Sequence, residues 1–259
     1  MSVAKTRIVK REGAYAGQRL KGRVALVTGA GRRLGRAIAL ALAGRGAKVI
    51  VHFHHAKREA ADVVSAIQKQ GGAARAVCGN IAKPSDCRRI VRQAHDAFGQ
   101  LDVLVNNAAV FFKTPLQKVT PRDWDATLDV NLKGSFFCAQ AAAAYLPVGG
   151  QIVNIADWSA IRPYTDYLPY CISKAGVIAL TRGLARTLAP RIAVNAVAPG
   201  PVLLPEGFDE AEKETILRRT PLERLGAPDD IVNAVLFLLE GTQFTTGATL
   251  VIDGGRLIA

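Results

Sequence analysis

The feature that most constrains this chain is a regular alternation of short, continuously apolar segments with helical patterns. Strands that stay apolar along their whole length are buried on both faces, as in parallel sheets covered by helices. Such segments are predicted at Val24–Val27, Ala47–Phe53, Ala73–Cys78, Leu101–Val105, Gln151–Ala156, Arg191–Val197 and Ala248–Ile252. With right-handed crossovers, the pattern predicts a single-domain α/β fold: a Rossmann-type, doubly wound parallel sheet of about seven strands with helices on both faces.

The intervening helices are predicted from the same periodicity. One follows the first strand to about Gly44, a polar one ends near Lys69, and a small one lies within residues 201–220. The others are expected at Pro84–Phe98, Pro121–Leu146, Pro169–Leu188 and Pro228–Leu239. The variable loop around Val202–Phe208 is expected to decide fine substrate preference.

Charge is unevenly distributed along the 259 residues, which carry a formal net charge of +13. Residues 1–23 hold seven Lys and Arg against one Glu, without apolar periodicity. Residues 1–21 are therefore predicted to be a flexible basic N-terminal extension, and residues 22–259 a single domain. Such charge suggests an anionic partner, but a phosphorylated small molecule satisfies the cations inside the domain, so nucleic acid is not expected.

Location and metal content are predicted from what the sequence lacks. It has no secretory apolar core, no uncharged apolar stretch of eighteen residues and no CxxC pair, so we expect a cytoplasmic protein with reduced thiols and no membrane contact. His52, His54 and His55 lie close together, but no Cys or carboxylate cluster completes a metal site. No metal is expected.

A glycine-rich turn follows the first strand and opens a helix. Residues 28–35 read TGAGRRLG. Glycines let a pyrophosphate approach the backbone, and the helix N-terminus offers free N–H groups. The residues expected to bind a dinucleotide here are Gly29, Arg32, Arg33 and Leu34.

The end of the second strand indicates which dinucleotide. NAD is usually held there by an acidic residue, whereas this strand is followed by His54, His55 and Lys57. Cations and donors suit a 2′-phosphate, so NADPH/NADP+ is predicted, although a solvated basic turn is the alternative.

Tyr170 and Lys174 lie four residues apart on a predicted helix and so share a face. With the turn at residues 28–35, Asn106-Asn107-Ala108, Asn131, Pro199-Gly200 and Asp253-Gly254-Gly255, they resemble the short-chain dehydrogenase/reductase family over residues 22–259. The resemblance implies that Tyr170 donates a proton, that Lys174 holds the nicotinamide ribose and lowers the Tyr170 pKa, and that Asn131 supports a relay water. It also assigns to the cofactor Asn80, Ile81, Asn107, Ala108, Tyr170, Lys174, Pro199 and Gly200, and implies a homotetramer.

Two departures from the family narrow the prediction. Asp157 stands thirteen residues before Tyr170, where most members have Ser, and Arg33 replaces a glycine. Both features, and Phe111 in the segment after the fourth strand, resemble the pteridine reductases and dihydromonapterin reductases. The resemblance implies reduction of a dihydropterin, with dihydrofolate as a further candidate, bound by Arg33, Phe111, Asp157 and Tyr170, with Asp157, Tyr170, Lys174 and Asn131 as the catalytic set.

Other interpretations remain open at this point. A carboxylate would repel the oxyanion of ketone reduction, so a generic carbonyl or 3-oxoacyl reductase on the same fold would need another hydroxyl, for which Ser159 is a candidate. A non-enzymatic NADP-binding sensor is a second alternative. Individually, Phe111 could be a loop anchor, Asp157 a loop cap and Arg33 a surface cation.

Overall fold

Seven parallel strands form one sheet in the computed structural model, which describes residues 19–204 and 210–259. Their order across the sheet is β3-β2-β1-β4-β5-β6-β7. The strands are β1 Val24–Val27, β2 Lys48–Phe53, β3 Ala74–Cys78, β4 Val103–Asn106, β5 Gly150–Ile155, β6 Ile192–Pro199 and β7 Thr249–Ile252. This sheet confirms the predicted fold class, and the reversal of strand order between β1 and β4 opens a crevice at their carboxyl ends.

Helices cover both faces of the sheet. Their bounds are α1 Arg33–Gly44, α2 Lys57–Lys69, α3 Pro84–Phe98, α4 Pro121–Leu128, α5 Ser135–Ala143, α6 Leu168–Leu188, α7 Glu210–Arg218 and α8 Pro228–Leu236. One apolar core lies between the sheet and α1, α2 and α8, and a second lies on the opposite face against α3, α5 and α6. The central strands β1 and β4 are fully buried, and they are apolar except for Asn106, because both of their faces are covered.

The predicted helix at Pro121–Leu146 is interrupted. Between α4 and α5 the chain makes a π-helical turn at Asp129–Gly134, and α5 ends at Ala143. A π turn inserts one residue into the helical repeat and frees a backbone carbonyl, and apolar periodicity carries little signal for it. A second π turn, at Phe237–Gly241, follows α8, so the helix predicted at Pro228–Leu239 also changes type near its end.

Two predicted segments lie partly outside the described residues. Most of the basic extension does, but Leu20 is fully buried in the first core, so apolar packing begins just before the proposed domain start at residue 22. The Val202–Phe208 loop is described as far as Leu204. The small helix predicted within residues 201–220 is α7. No helix in the described part of the chain is long and apolar enough to span a membrane.

Candidate active site

A cleft of about 970 Å³ lies at the carboxyl ends of the strands, where the strand order reverses. It gathers nearly all of the residues singled out from the sequence. Lys57 lies outside its lining, exposed at the start of α2, and Asn131 lies behind it, almost fully buried. The lining includes Gly29, Arg32, Arg33, Leu34, His54, His55, Asn80, Ile81, Asn107, Ala108, Phe111, Asp157, Tyr170, Lys174, Pro199 and Gly200.

Close backbone approach explains the glycines of the turn between β1 and α1. Gly29 has φ +63°, and a Cβ there would lie 2.9 Å from the Cα of Ala108. A Cβ on Gly35 would lie 2.2 Å from the carbonyl oxygen of Gly29 and 2.5 Å from Nδ2 of Asn107. Gly29 and Gly35 therefore leave no room for a Cβ where the turn packs on itself and on the segment after β4, and this close packing keeps the backbone of the turn available to a pyrophosphate.

The two arginines of this turn have partners that the sequence did not indicate. Arg32 precedes α1 without capping it and forms an ion pair with Glu59 of α2. Arg33 has φ +50°, an uncommon backbone conformation for a residue with a side chain, and it donates a hydrogen bond to the carbonyl of Leu203. Arg33 thus links the glycine-rich turn to the segment after β6, across the mouth of the cleft.

The histidines at the end of β2 have different environments. His54 and His55 are exposed, with ring centroids 3.6 Å apart. His52 is buried, and burial lowers its pKa to about 4. The neutral ring accepts a hydrogen bond from the Gly29 N–H at 3.1 Å and lies 3.0 Å from the Gly79 carbonyl through Nε2. His52 therefore stabilises the turn and the end of β3, which sequence analysis did not detect.

Thr28 positions the segment after β4 against the glycine-rich turn. Its hydroxyl accepts the backbone N–H groups of Asn107 and Ala108 at 2.9 and 3.0 Å. The Asn107 amide donates in return to the Thr28 carbonyl at 2.8 Å. At the end of β3, the Asn80 amide oxygen accepts the Ala82 N–H at 3.0 Å, so the Asn80 amide nitrogen is the group left to donate to a ligand.

Tyr170, Asp157 and Lys174 meet at the floor of the cleft. The Tyr170 hydroxyl donates to Oδ2 of Asp157 at 2.9 Å, and Nζ of Lys174 donates to the Ile155 carbonyl at 2.8 Å. Lys174 Nζ lies 5.6 Å from the centroid of the Tyr170 ring. Tyr170 and Lys174 share a face of α6, as their spacing predicts, and Asp157 follows β5.

Burial dominates the ionisation of this group. It raises the pKa of Asp157 and lowers that of Lys174 to about 8. Burial, reinforced by the charge of Asp157, raises the pKa of Tyr170 well above its ordinary value. Desolvation and the nearby carboxylate both favour the neutral phenol, and they oppose the lowering of the Tyr170 pKa that is expected from Lys174.

Asn131 connects the segment after β4 to α6. Within the π turn, its amide bonds both backbone groups of Val110, at 2.8 and 3.1 Å, and donates to Oγ of Ser173 at 3.0 Å. Ser173 Oγ donates to the Tyr170 carbonyl at 2.6 Å. The side-chain amide is thus bonded to Val110 and Ser173, and the Asn131 backbone carbonyl accepts a hydrogen bond from the Ser135 hydroxyl at 2.8 Å.

Aromatic residues form one wall of the cleft. Phe111 stacks on Tyr167 with centroids 4.4 Å apart and rings tilted by 5°, and it meets Tyr170 edge-on at 4.6 Å. One face of Phe111 is therefore covered, so a substrate ring can stack only on the other. Tyr164 and Tyr167 line the cleft as well. Neither residue was singled out from the sequence, although three tyrosines within seven residues indicate an aromatic cluster.

Asp157 caps a loop, as one interpretation of the sequence proposed, and it also contacts Tyr170. Its Oδ1 accepts the Ser159 N–H at 2.8 Å and caps a short 3-10 turn, Trp158–Ala160, while Oδ2 faces Tyr170. Ser159 is fully buried and does not line the cleft, so the geometry does not place its hydroxyl at the site. Among the described residues, no group of three His, Cys, Asp or Glu side chains is arranged to hold a metal ion.

The chain is similar to known reductases and related proteins over about nine-tenths of its length. Residues 29–256 match a family profile described as enoyl-(acyl carrier protein) reductase. A 3-oxoacyl-[acyl-carrier-protein] reductase of Synechocystis sp. is 37% identical over 92% of this chain and 98% of its own length. The structure of a metagenomic blue fluorescent protein in complex with NADPH has a TM-score of 0.87 and 37% identity, covering 92% and 99% of the two chains. A short-chain dehydrogenase/reductase of Serratia marcescens has a TM-score of 0.88 and 35% identity, covering 92% and 99%.

Proposed function

Because the chain belongs to the short-chain dehydrogenase/reductase family, we propose that it is an NADPH-dependent reductase in which Tyr170 protonates the substrate. The observation that carries the proposal is the contact of the Tyr170 hydroxyl with Asp157, 2.9 Å apart in a cleft that also contains Lys174 and the glycine-rich turn. The cleft therefore contains both a backbone site for a dinucleotide and a buried phenol that stays protonated.

The residues of the cleft fit NADPH. In the Gly29–Gly35 cradle neither Gly29 nor Gly35 has room for a Cβ, and no side chain caps the α1 N-terminus, so backbone N–H groups are open to phosphate. His54 and His55 suit the 2′-phosphate of NADPH, and Asn80 and Ile81 suit its adenine. The rest of the cofactor would contact Asn107, Ala108, Pro199 and Gly200. When bound, NADPH supplies the hydride.

Proton delivery falls to Tyr170. Its raised pKa keeps the phenol protonated near neutral pH, and its O–H proton passes to the substrate heteroatom as the hydride arrives on the adjacent carbon. Lys174, as a cation behind the ring, offsets the negative charge left on the phenolate oxygen. Asn131 holds the Val110 segment and α6 in register through its side-chain amide, and we propose that it supports a relay water.

A carbonyl group is the substrate class we place first, as in a 3-oxoacyl thioester. Relatives similar over about nine-tenths of the chain carry that activity in their names, which favours this alternative over the pteridine interpretation. The absent Ser is compensated if the Asp157 carboxyl is neutral, since it then offers a second O–H to the developing oxyanion. Burial, which raises the pKa of Asp157, extends the pH range of that form.

A pteridine is the second candidate, and Asp157 is the specific observation in its favour. An ionised carboxylate beside Tyr170 accepts hydrogen bonds from ring N–H and amino groups, which a ketone lacks. Arg33 crosses the mouth of the cleft, and Phe111 offers one free face to a flat ring. These features would bind a dihydropterin or dihydrofolate for reduction of a C=N bond.

One set of variants separates the two classes. NADPH oxidation is followed with 3-oxoacyl thioesters, simple ketones, dihydrobiopterin, dihydromonapterin and dihydrofolate in the wild type, Asp157→Ser and Ser159→Ala. For a carbonyl reductase, Asp157→Ser keeps or raises kcat/KM, and the wild-type rate falls as Asp157 ionises with rising pH. For a pteridine reductase, Asp157→Ser lowers kcat/KM by roughly 100-fold.

Ser159→Ala tests the alternative hydroxyl, and only a small change is expected because this side chain does not line the cleft and acts through the pKa of Asp157, which it lowers. Absence of NADPH oxidation with every compound would falsify the proposed function. We also propose that the protein is a cytoplasmic homotetramer. Sedimentation analysis can test the number of subunits.

A further inference from the structure

A second cavity, of about 590 Å³, adjoins the cleft and has a different character. Three residues line both spaces: Tyr164, Tyr167 and Arg256. A continuous path of ring contacts leads outward from the reaction centre, from Tyr170 through Phe111 and Tyr164 to Trp158. The Arg256 guanidinium lies 5.1 Å from the centroid of the Trp158 ring at the end of this path.

The lining of this second cavity is strongly basic. It includes four arginines, Arg162, Arg218, Arg219 and Arg256, and we call this set the arginine cluster. Among the described residues, the one acidic side chain in the lining is Asp166, whose carboxylate lies 3.3 Å from Nζ of Lys113. Asp166 is therefore already partnered by a cation from outside the cluster.

The arginine cluster has unused hydrogen-bonding capacity. Arg162 donates to the carbonyl of Arg256 and to a carboxyl oxygen of Ala259, the last residue, and Arg256 donates to the Ile216 carbonyl at 2.8 Å. Within the described residues, the guanidinium groups of Arg218 and Arg219 make no hydrogen bond, and no member of the cluster pairs with a carboxylate side chain. Burial and the charges of Arg219 and Arg162 all lower the pKa of Arg256, so these cations repel one another.

Mutual repulsion of this kind is relieved by an anion. Guanidinium groups bind carboxylate and phosphate through paired N–H donors, and several around one cavity suit a ligand with more than one negative charge. Arg218 is the last residue of α7 and Arg219 follows it, and α7 also contributes Ala211, Thr215 and Ile216 to the wall of the cleft. The same element thus borders both the cleft and the cationic space.

We propose that the arginine cluster binds an anionic group, carboxylate or phosphate, at the distal end of the substrate whose other end is reduced beside Tyr170. This inference rests on the proposed function and adds that the preferred substrate carries a negatively charged tail. Two kinds of substrate carry such an anionic group: a coenzyme A thioester, through its phosphates, and a folate, through its carboxylates. Each has a matched compound without that tail, a neutral N-acetylcysteamine thioester and dihydrobiopterin.

The test compares the wild type with Arg218→Gln/Arg219→Gln, which removes the two unbonded guanidinium groups. The control is Arg88→Gln/Arg92→Gln, which removes the same charge from exposed positions on α3. For each matched pair, kcat/KM of the tailed compound is divided by that of the tailless one. We expect this ratio to fall about tenfold in the cluster variant and to stay constant in the control.

A binding measurement separates failure of this inference from failure of the proposed function. Protein saturated with NADP+, so that cofactor phosphate sites are filled, is titrated calorimetrically with acetoacetyl-coenzyme A and with dihydrofolate. About tenfold weaker binding of either compound to the cluster variant alone supports the inference even if neither is reduced, and the compound affected identifies the anion. Equal binding by all three proteins, equal loss in the control, or no binding to the wild type overturns it.

Discussion

At the residue scale, Asp157 shows how one side chain can serve two purposes. The sequence placed it thirteen residues before Tyr170 and left a loop cap and a catalytic role as alternatives. In the structure one oxygen caps the 3-10 turn and the other accepts the Tyr170 hydroxyl. The cap therefore also holds the carboxylate in the orientation in which it accepts the hydrogen bond from the phenol.

Lys174 makes a residue-scale prediction about pH. Because burial lowers its folded pKa to about 8 from an unfolded value of 10.5, the unfolded state binds more protons between those values. This lysine therefore makes the free energy of unfolding rise with pH across that window, by roughly 3 kcal/mol in total. Urea unfolding at pH 8, 9 and 10 without added nucleotide should show a shallower rise in Lys174→Met than in the wild type.

Lys174→Met also removes the hydrogen bond to Ile155, which shifts stability by the same amount at every pH. The difference in slope is therefore the informative quantity. Parallel wild-type and variant curves would contradict the assignment of a depressed lysine pKa.

At the element scale, two turns differ in how well the sequence predicts them: the turn between β1 and α1, and the π turn between α4 and α5. The first is marked by glycines that a tight backbone approach requires, and the sequence located it correctly. The second places Asn131 so that its amide reaches both Val110 and Ser173. Its position depends on contacts between distant elements, so periodicity within the helix predicted a regular α-helix instead.

Gly35→Ala tests the first turn. The added Cβ would lie 2.2 Å from the Gly29 carbonyl, so the cradle must distort. We expect a loss of about 1–3 kcal/mol in unfolding free energy and at least tenfold weaker NADPH binding, measured by urea unfolding and nucleotide fluorescence.

Gly44→Ala is the control within the same helix, because a Cβ at this exposed position meets nothing within 4 Å. It should leave NADPH affinity unchanged and raise stability by up to about 1 kcal/mol through helix propensity. If both variants bound NADPH like the wild type, the cradle would not be the phosphate site.

At the scale of the whole molecule, the topology decides where function resides. Because β1 and β4 are neighbours, the chain leaves the sheet in opposite directions at that point. Residues that follow each of the seven strands surround one cleft. The net charge of +13 is likewise a sum of separate parts: the basic N-terminal segment, the cofactor side of the cleft and the arginine cluster.

Leu20 tests where the folded domain begins. Since its side chain is fully buried in the first core, Leu20→Ala should lower the free energy of unfolding by about 2–5 kcal/mol. Deletion of residues 2–18, which keeps Leu20, should change it by less than about 0.5 kcal/mol. Chemical unfolding of both proteins gives the comparison, and equal losses would show that the basic segment contributes to the fold.

The sequence by itself determined the α/β class, the strand sites, the phosphate turn and the pairing of Tyr170 with Lys174. Each depends on local rules: strand and helix periodicity, the backbone freedom of glycine, and the four-residue repeat of a helix face. Only the tertiary structure decided that Arg32 pairs with Glu59, that His52 is neutral and internal, that Ser159 is buried, and that four arginines form a second cavity. These outcomes arise between residues far apart in the chain, where burial and neighbouring charge, set by the fold, determine ionisation and access.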